Sequence, residues 1–387
     1  MKRNVALGWC LVVALGTASC KQETTEPTAA PQELKGSTTA SSYGLQRRPI
    51  SLPSGRITDQ HIAEACRRAI DGDDYTCPAS TPIIDWWVAS VVEVIQKEPA
   101  IFDLLYNQLL ADLIPTYDAL YFQTEATPQY FGYNGEYTQL MQKTETDTKR
   151  FWNIESDDIQ LIGMHGTMLL DVQRVARTYQ VVFGLSAADA AAAAAAIRDA
   201  MLKSQTLKGG NHPLFSFNAF ALSAPEFGLP DKIVMGDGIL AGYAALGFGD
   251  VAPQAIYAHE FAHHIQFENG YFDEAVPGTG RRVTEAEKTR YTELMADAYS
   301  AYFLTHSQGL ALNQKRVEQF LEVFFQIGDC AFSNPGHHGT PNQRMAAARF
   351  GFSVAAEAQK QGHILTSEEF HTRFVAIYTT LVAPDAT

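Results

Sequence analysis

The stretch Ala258-His259-Glu260-Phe261-Ala262-His263-His264-Ile265-Gln266 sets His-Glu-x-x-His inside an apolar run of helical spacing. Positions i and i+4 share a helix face, so His259 and His263 can both offer imidazole nitrogens to a single Zn²⁺. Glu260 follows the first histidine and would stand beside the metal, where a base must be to accept a proton from water. Ile256, Phe261, Ala262 and Ile265 mark the helix as buried. Two histidines and a glutamate are costly in such a place without a ligand.

A zinc that does chemistry needs a third protein ligand and an open fourth position. Glu293-Leu294-Met295-Ala296-Asp297, flanked by apolar Ala298, Tyr299 and Phe303, supplies the candidate. Glu293 and Asp297 again stand at i and i+4. Glu293 can then ligate while Asp297 accepts a hydrogen bond from the far nitrogen of a ligating histidine, which fixes its tautomer. The exchange of roles is less suited to the side chains, because Glu reaches further than Asp. Without a metal, the same pair reads as a solvated acidic face matched to Lys288 or Arg290.

At these residues, and at His338-Gly339-Thr340-Pro341-Asn342-Gln343-Arg344, the sequence resembles the bacterial neutral zinc metallopeptidase family. This is a zincin-type family with glutamate as the third ligand. The resemblance implies a zinc held by His259, His263 and Glu293, with Glu260 as base. Ala262 stands where the family often has Gly, and Ala298 where a Cys often follows the Asp. A weaker similarity runs to membrane-associated zinc endopeptidases, through Glu-x-x-Ala-Asp and Asn218-Ala219-Phe220-Ala221. Residues 214–222 are the candidate strand edge for pairing with an extended substrate, or a plain buried strand. His338 is a candidate hydrogen-bond donor to the oxyanion of a tetrahedral intermediate, although Thr340, Pro341 and Gln343 also explain its segment as a helix cap. Tyr291 and Tyr299 are further candidates. His165 reads as a core or loop histidine, and Asp71 to Asp74 is too short for an EF-hand loop.

The surrounding pattern is mainly α, of α+β type: a zincin-like catalytic region with a small sheet (206–387), packed against a helical N-terminal region (56–205). Helices are expected over 57–71, 86–96 and 101–113, where Pro115 interrupts, and again over 157–183 and from the Ser186 cap to about 201. Residues 117–152 read as aromatic and irregular. Short apolar runs at 214–222 and 232–235 are the expected strands. Helices follow near 252–268, 284–306, 313–327, 341–360 and 367–382. Thr284 with Glu287, Thr340 with Gln343, and Thr366 with Glu369 have capping-box spacing.

Residues 1–19 read as a signal peptide: Lys2 and Arg3 precede an apolar stretch, Val5 to Leu15, too short to span a bilayer. Thr17-Ala18-Ser19-Cys20 resembles a bacterial lipoprotein signal with Cys20 as the lipidated residue, the alternatives being simple cleavage nearby or an uncleaved anchor. Residues 20–55 then form a polar tether. Export to the cell envelope, with membrane attachment through the lipid, follows as an expectation. Cys66 and Cys77 are the disulfide candidates; Cys330 is left over, or pairs with either. The 387 residues carry 29 Lys plus Arg against 43 Asp plus Glu, a formal net charge of −14. A nucleic-acid partner needs clustered cations and is excluded on this balance. The expected function is hydrolysis of peptide bonds in a peptide or protein substrate. A non-catalytic zinc-containing envelope lipoprotein that binds a partner, and a hydrolase of peptidoglycan cross-bridges, stay open beside it.

Overall fold

The structure, a computed structural model, describes residues 81–382 apart from Arg281, Ile327 and 329–335. The signal and tether, the helix expected at 57–71, and Cys20, Cys66, Cys77 and Cys330 lie outside the described residues. Helices dominate: α1 (Pro82–Lys97), α2 (Ile114–Phe122), α3 (Thr138–Phe151), α4 (Val172–Phe183), α5 (Ala187–Lys203), α6 (Asp237–Ala245), α7 (Ala252–Asn269), α8 (Glu285–Thr305), α9 (Gln314–Gln326), α10 (Pro341–Gln361) and α11 (Ser367–Leu381). A small sheet joins β1 (Gln160–Met164), β2 (Ala219–Leu222) and β3 (Lys232–Gly236) in the order β1-β3-β2. Among the described residues no helix is long and apolar enough to cross a membrane.

The mainly helical expectation holds, and so do the caps. Thr284, Thr340 and Thr366 each accept from the N3 amide while the N3 Glu or Gln reaches back, closing capping boxes on α8, α10 and α11. Ser186 caps α5 through the Asp189 amide. Pro115 does not end a helix; it stands in the first turn of α2, where its missing N–H costs nothing. The helix expected at 101–113 is instead a short turn, Pro99–Phe102, running into a π-helical turn, Asp103–Gln108. The stretch read as irregular contains α3, whose buried Thr144 and Thr148 hydroxyls donate to the carbonyls four residues back.

The largest correction is β1, which lies in a segment read as helical. It pairs in parallel with β3, Leu161 opposite Ile233 and Gly163 opposite Met235. Gly163 is required there, because a Cβ would meet the Tyr130 carbonyl at 2.5 Å. The outer edge of β1 is covered by side chains: Glu125 accepts from the Leu161 amide at 2.7 Å and Gln129 from the Gly163 amide at 3.0 Å. β2 pairs antiparallel with β3 and is shorter than the run 214–222, whose start is a 3-10 turn, Pro213–Phe215. One face of the sheet packs Ile162, Met164, Phe220 and Val234 on Ala119 of α2. The other joins Leu161, Ala219, Ile233 and Met235 to the main core. There α7 lies against β2 and β3, and α8 against α7 and α10.

The turn before β2 carries a titration. His212 is buried, and its Nδ1 accepts from the Leu214 amide at 3.1 Å. Burial, helped by the charge of Lys208, pushes its pKa down from 6.5 to about 4. The unfolded chain therefore binds a proton between these values that the folded chain refuses, so stability falls as pH drops from 6.5 to 4. The full loss is about 3 kcal/mol. His212→Asn keeps an acceptor for Leu214 without titrating. Denaturant unfolding of this variant should show a shallower acid slope than wild type; equal slopes would assign the loss to other groups.

Candidate metal centre

Two helices build the site. Every residue of α7 from Ala255 to Gln266 and of α8 from Tyr291 to Thr305 is buried. Side chains four apart on each helix therefore face the partner helix and not water. The Nε2 atoms of His259 and His263 stand 3.2 Å apart. Glu293 Oε2 lies 3.2 Å from His259 Nε2, and its Oε1 3.8 Å from His263 Nε2. These three residues can hold a metal ion, their ligand atoms all within 4.8 Å of one another.

The hydrogen bonds behind them assign the tautomers. His259 Nδ1 faces Asp297 Oδ1 at 2.9 Å, so it carries the proton and donates. His263 Nδ1 faces Gln266 Oε1 at 2.8 Å, and the Gln266 amide is oriented by donating from Nε2 to the Thr292 carbonyl at 2.7 Å. Both Nε2 atoms thus converge on the Glu293 carboxylate, where His259 Nε2 shares a proton with Glu293 in the metal-free chain. A metal cation at that point would take the place of this proton and draw on all three groups as ligands. Gln266 stood in the sequence motif without a role, and its fixing of the His263 tautomer is legible only once the Thr292 carbonyl is in place.

The charges follow the same geometry. Burial opposes the His259 imidazolium, but hydrogen bonds to Asp297 and Glu293 outweigh it and raise its pKa. Burial lowers that of His263. Burial also works against ionised Glu293, yet the charges of His338, His263 and His259 and a hydrogen bond from His259 hold its carboxyl well below the usual range. Glu260 differs: it is buried without a side-chain partner, which pushes its pKa up from 4.5 to about 8. The Ala221 backbone on β2 is near enough to favour its ionised form, though not with the geometry of a full hydrogen bond.

That strand is buried and has one edge without a strand partner among the described residues. The Gly236 amide donates to the Asn218 carbonyl at 2.9 Å, so alternation turns the amide and carbonyl of Ala219 and Ala221 away from β3. No other strand among the described residues pairs with this edge.

The structure therefore brings together His259, His263, Glu293, Glu260 and Asp297 as the sequence placed them. His338 is buried and close enough to Glu293 to act on its charge. Arg344, which the sequence marked only as the end of a motif, is wholly buried and grips Asp297 with Nε and Nη2, both at 2.7 Å. Tyr291 and Tyr299 are engaged elsewhere: one hydroxyl donates to Glu274, the other to the Ser367 carbonyl at 2.6 Å. His264 turns to Asp231 and the Lys232 carbonyl, tying α7 to β3. His165 pairs with Asp237 at 2.8 Å and stacks on Tyr130, apart from the centre. No protein-family model matches the chain, and no curated protein or solved structure is found to be similar to it.

Proposed function

We propose that this chain is an exported zinc-dependent peptidase of zincin-like build, anchored by Cys20. The observation that carries the reading is the setting of Glu260: a buried carboxyl without a side-chain partner, next in sequence to a ligand set and beside the edge of β2 that no strand pairs with among the described residues. A structural metal site has no use for such a group. The donor set suits zinc. Tetrahedral ligands at about 2.0–2.1 Å from zinc stand about 3.3 Å from one another. The two nitrogens already stand at this spacing, 3.2 Å apart, while Glu293 meets them with different oxygens, Oε2 at 3.2 Å and Oε1 at 3.8 Å, so its carboxylate must turn to offer one oxygen to the metal.

When bound, zinc supplies Lewis acidity toward a water and a scissile carbonyl. The chain's own residues do the rest. The outward amides and carbonyls of Ala219 and Ala221 bind an extended peptide backbone as an added strand. Glu260 takes the proton of the attacking water on its carboxylate and returns it to the leaving amine. His338 donates a hydrogen bond to the developing oxyanion.

Elemental analysis of the purified protein, with cleavage of a denatured protein substrate, tests this. Wild type should hold a single zinc and cleave, while His263→Ala should lose both. Absence of zinc from wild type would sink the site. Zinc without cleavage would move the protein to the class of envelope proteins that hold zinc for structure.

A further inference from the structure

Arg344 is the most enclosed cation of the described chain, with no exposed surface. Its place is set locally. Gly339 adopts φ +101°, Thr340 and Gln343 close the capping box of α10, and Arg344 follows as the next residue, still in the first turn. A cap alone needs no arginine at that position.

What the guanidinium does there is specific. It binds both oxygens of Asp297, through Nε to Oδ2 and Nη2 to Oδ1. Oδ1 is the atom that also accepts from His259 Nδ1. Its Nη1 lies 3.5 Å from Glu293 Oε2 and its Nη2 3.4 Å from His259 Nδ1. One planar fork thus touches a ligating histidine, the carboxylate behind it and the ligating glutamate. A carboxylate held at both oxygens cannot rotate away from the Nδ1 proton, and its charge stays satisfied in a dry interior.

We propose that Arg344 is a positioning residue of the metal centre: through Asp297 it locks His259 with Nε2 turned to the metal position beside Glu293, so that the ligands are assembled before a metal arrives. The inference rests on the metal-centre reading. Removing such a partner typically weakens metal affinity 10–100-fold. Lysine keeps the charge but offers a point donor where the fork serves two oxygens, so Arg344→Lys falls between wild type and Arg344→Met.

The experiment measures zinc affinity of the full chain by competition with a chromophoric chelator, with circular dichroism reporting the fold. Arg344→Met, Arg344→Lys, Asp297→Asn and the Arg344→Met/Asp297→Asn double variant are compared. Arg344→Met should bind zinc about 10–100-fold more weakly. Because Arg344 acts through Asp297, the double variant should bind no more weakly than Asp297→Asn. Full affinity in folded Arg344→Met, or additive losses in the double variant, overturns the proposal. Should Arg344→Met fail to fold, Arg344→Lys carries the test through ¹⁵N spectra of His259 in the metal-free chain at a pH high enough for the imidazole to be neutral. A smaller share of the Nδ1–H tautomer is expected, and an unchanged tautomer together with unchanged affinity overturns the proposal. Wild type that binds no zinc overturns the metal reading and this one with it; wild type that binds, with variants that bind equally, overturns this one alone.

Discussion

On the peptidase reading, the Glu260→Gln chain should keep zinc and hydrolyse peptide about 10²–10⁴-fold more slowly than wild type, the usual worth of a positioned general base. The two side chains have nearly the same shape, so the ligand set of His259, His263 and Glu293 is untouched. Only the ability to accept and return a proton goes. A second consequence separates this reading from mere damage. In the metal-free protein burial raises the Glu260 pKa from 4.5 to about 8, so the folded chain binds a proton between these values that the unfolded chain has lost. Stability of the metal-free wild type therefore falls as pH rises through that window, and this part of the fall is absent from Glu260→Gln. Denaturant unfolding in chelator at about pH 6 and about pH 9 reads the difference, alongside turnover and zinc content of the same samples. Undiminished turnover would remove Glu260 from the chemistry; loss of zinc would make it a ligand.

The centre was legible in the sequence because its parts lie on two helices at i, i+4 spacing, and helical periodicity is a local property. The Thr-x-x-Glu and Thr-x-x-Gln caps were legible for the same reason. What stayed hidden depends on distant partners. Gln160–Met164 is a strand because β3 pairs with it and because Glu125 and Gln129 cover its far edge. Seen alone, it is an apolar run interrupted by glycine. α3 is rich in threonine, a weak helix former, and its helical state rests on burial of Met141 and Phe151 and on hydroxyls turned back to the backbone. Arg344 stood only as the last residue of the motif that begins at His338, since Asp297, which explains it, is 47 residues away.

Gly351→Ala should give the second large effect, and it links packing to chemistry. α8 carries Glu293 and Asp297, α10 carries Arg344, and Gly351 of α10 packs directly on the Ala298 backbone of α8. A Cβ on residue 351 would stand 2.1 Å from the Ala298 carbonyl oxygen and 3.0 Å from both its carbonyl carbon and Ala301 Cβ. Backbone atoms cannot swing aside as a flexible side chain can, so one helix must move. The expected loss of stability is about 1–3 kcal/mol or more, as for overpacked cores. Because the displaced helix also holds the guanidinium against Asp297, zinc affinity should fall with stability. Gly184→Ala supplies the contrast. Gly184 ends α4 at φ +68° with nothing within 4 Å of an added Cβ. Alanine there meets only the left-handed backbone penalty, about 1–2 kcal/mol, and should leave zinc affinity unchanged. Unfolding curves and chelator competition on both variants decide the matter. If Gly351→Ala loses stability but binds zinc like wild type, the spacing of α8 and α10 does not set the metal centre, and the close contact at Ala298 serves packing alone.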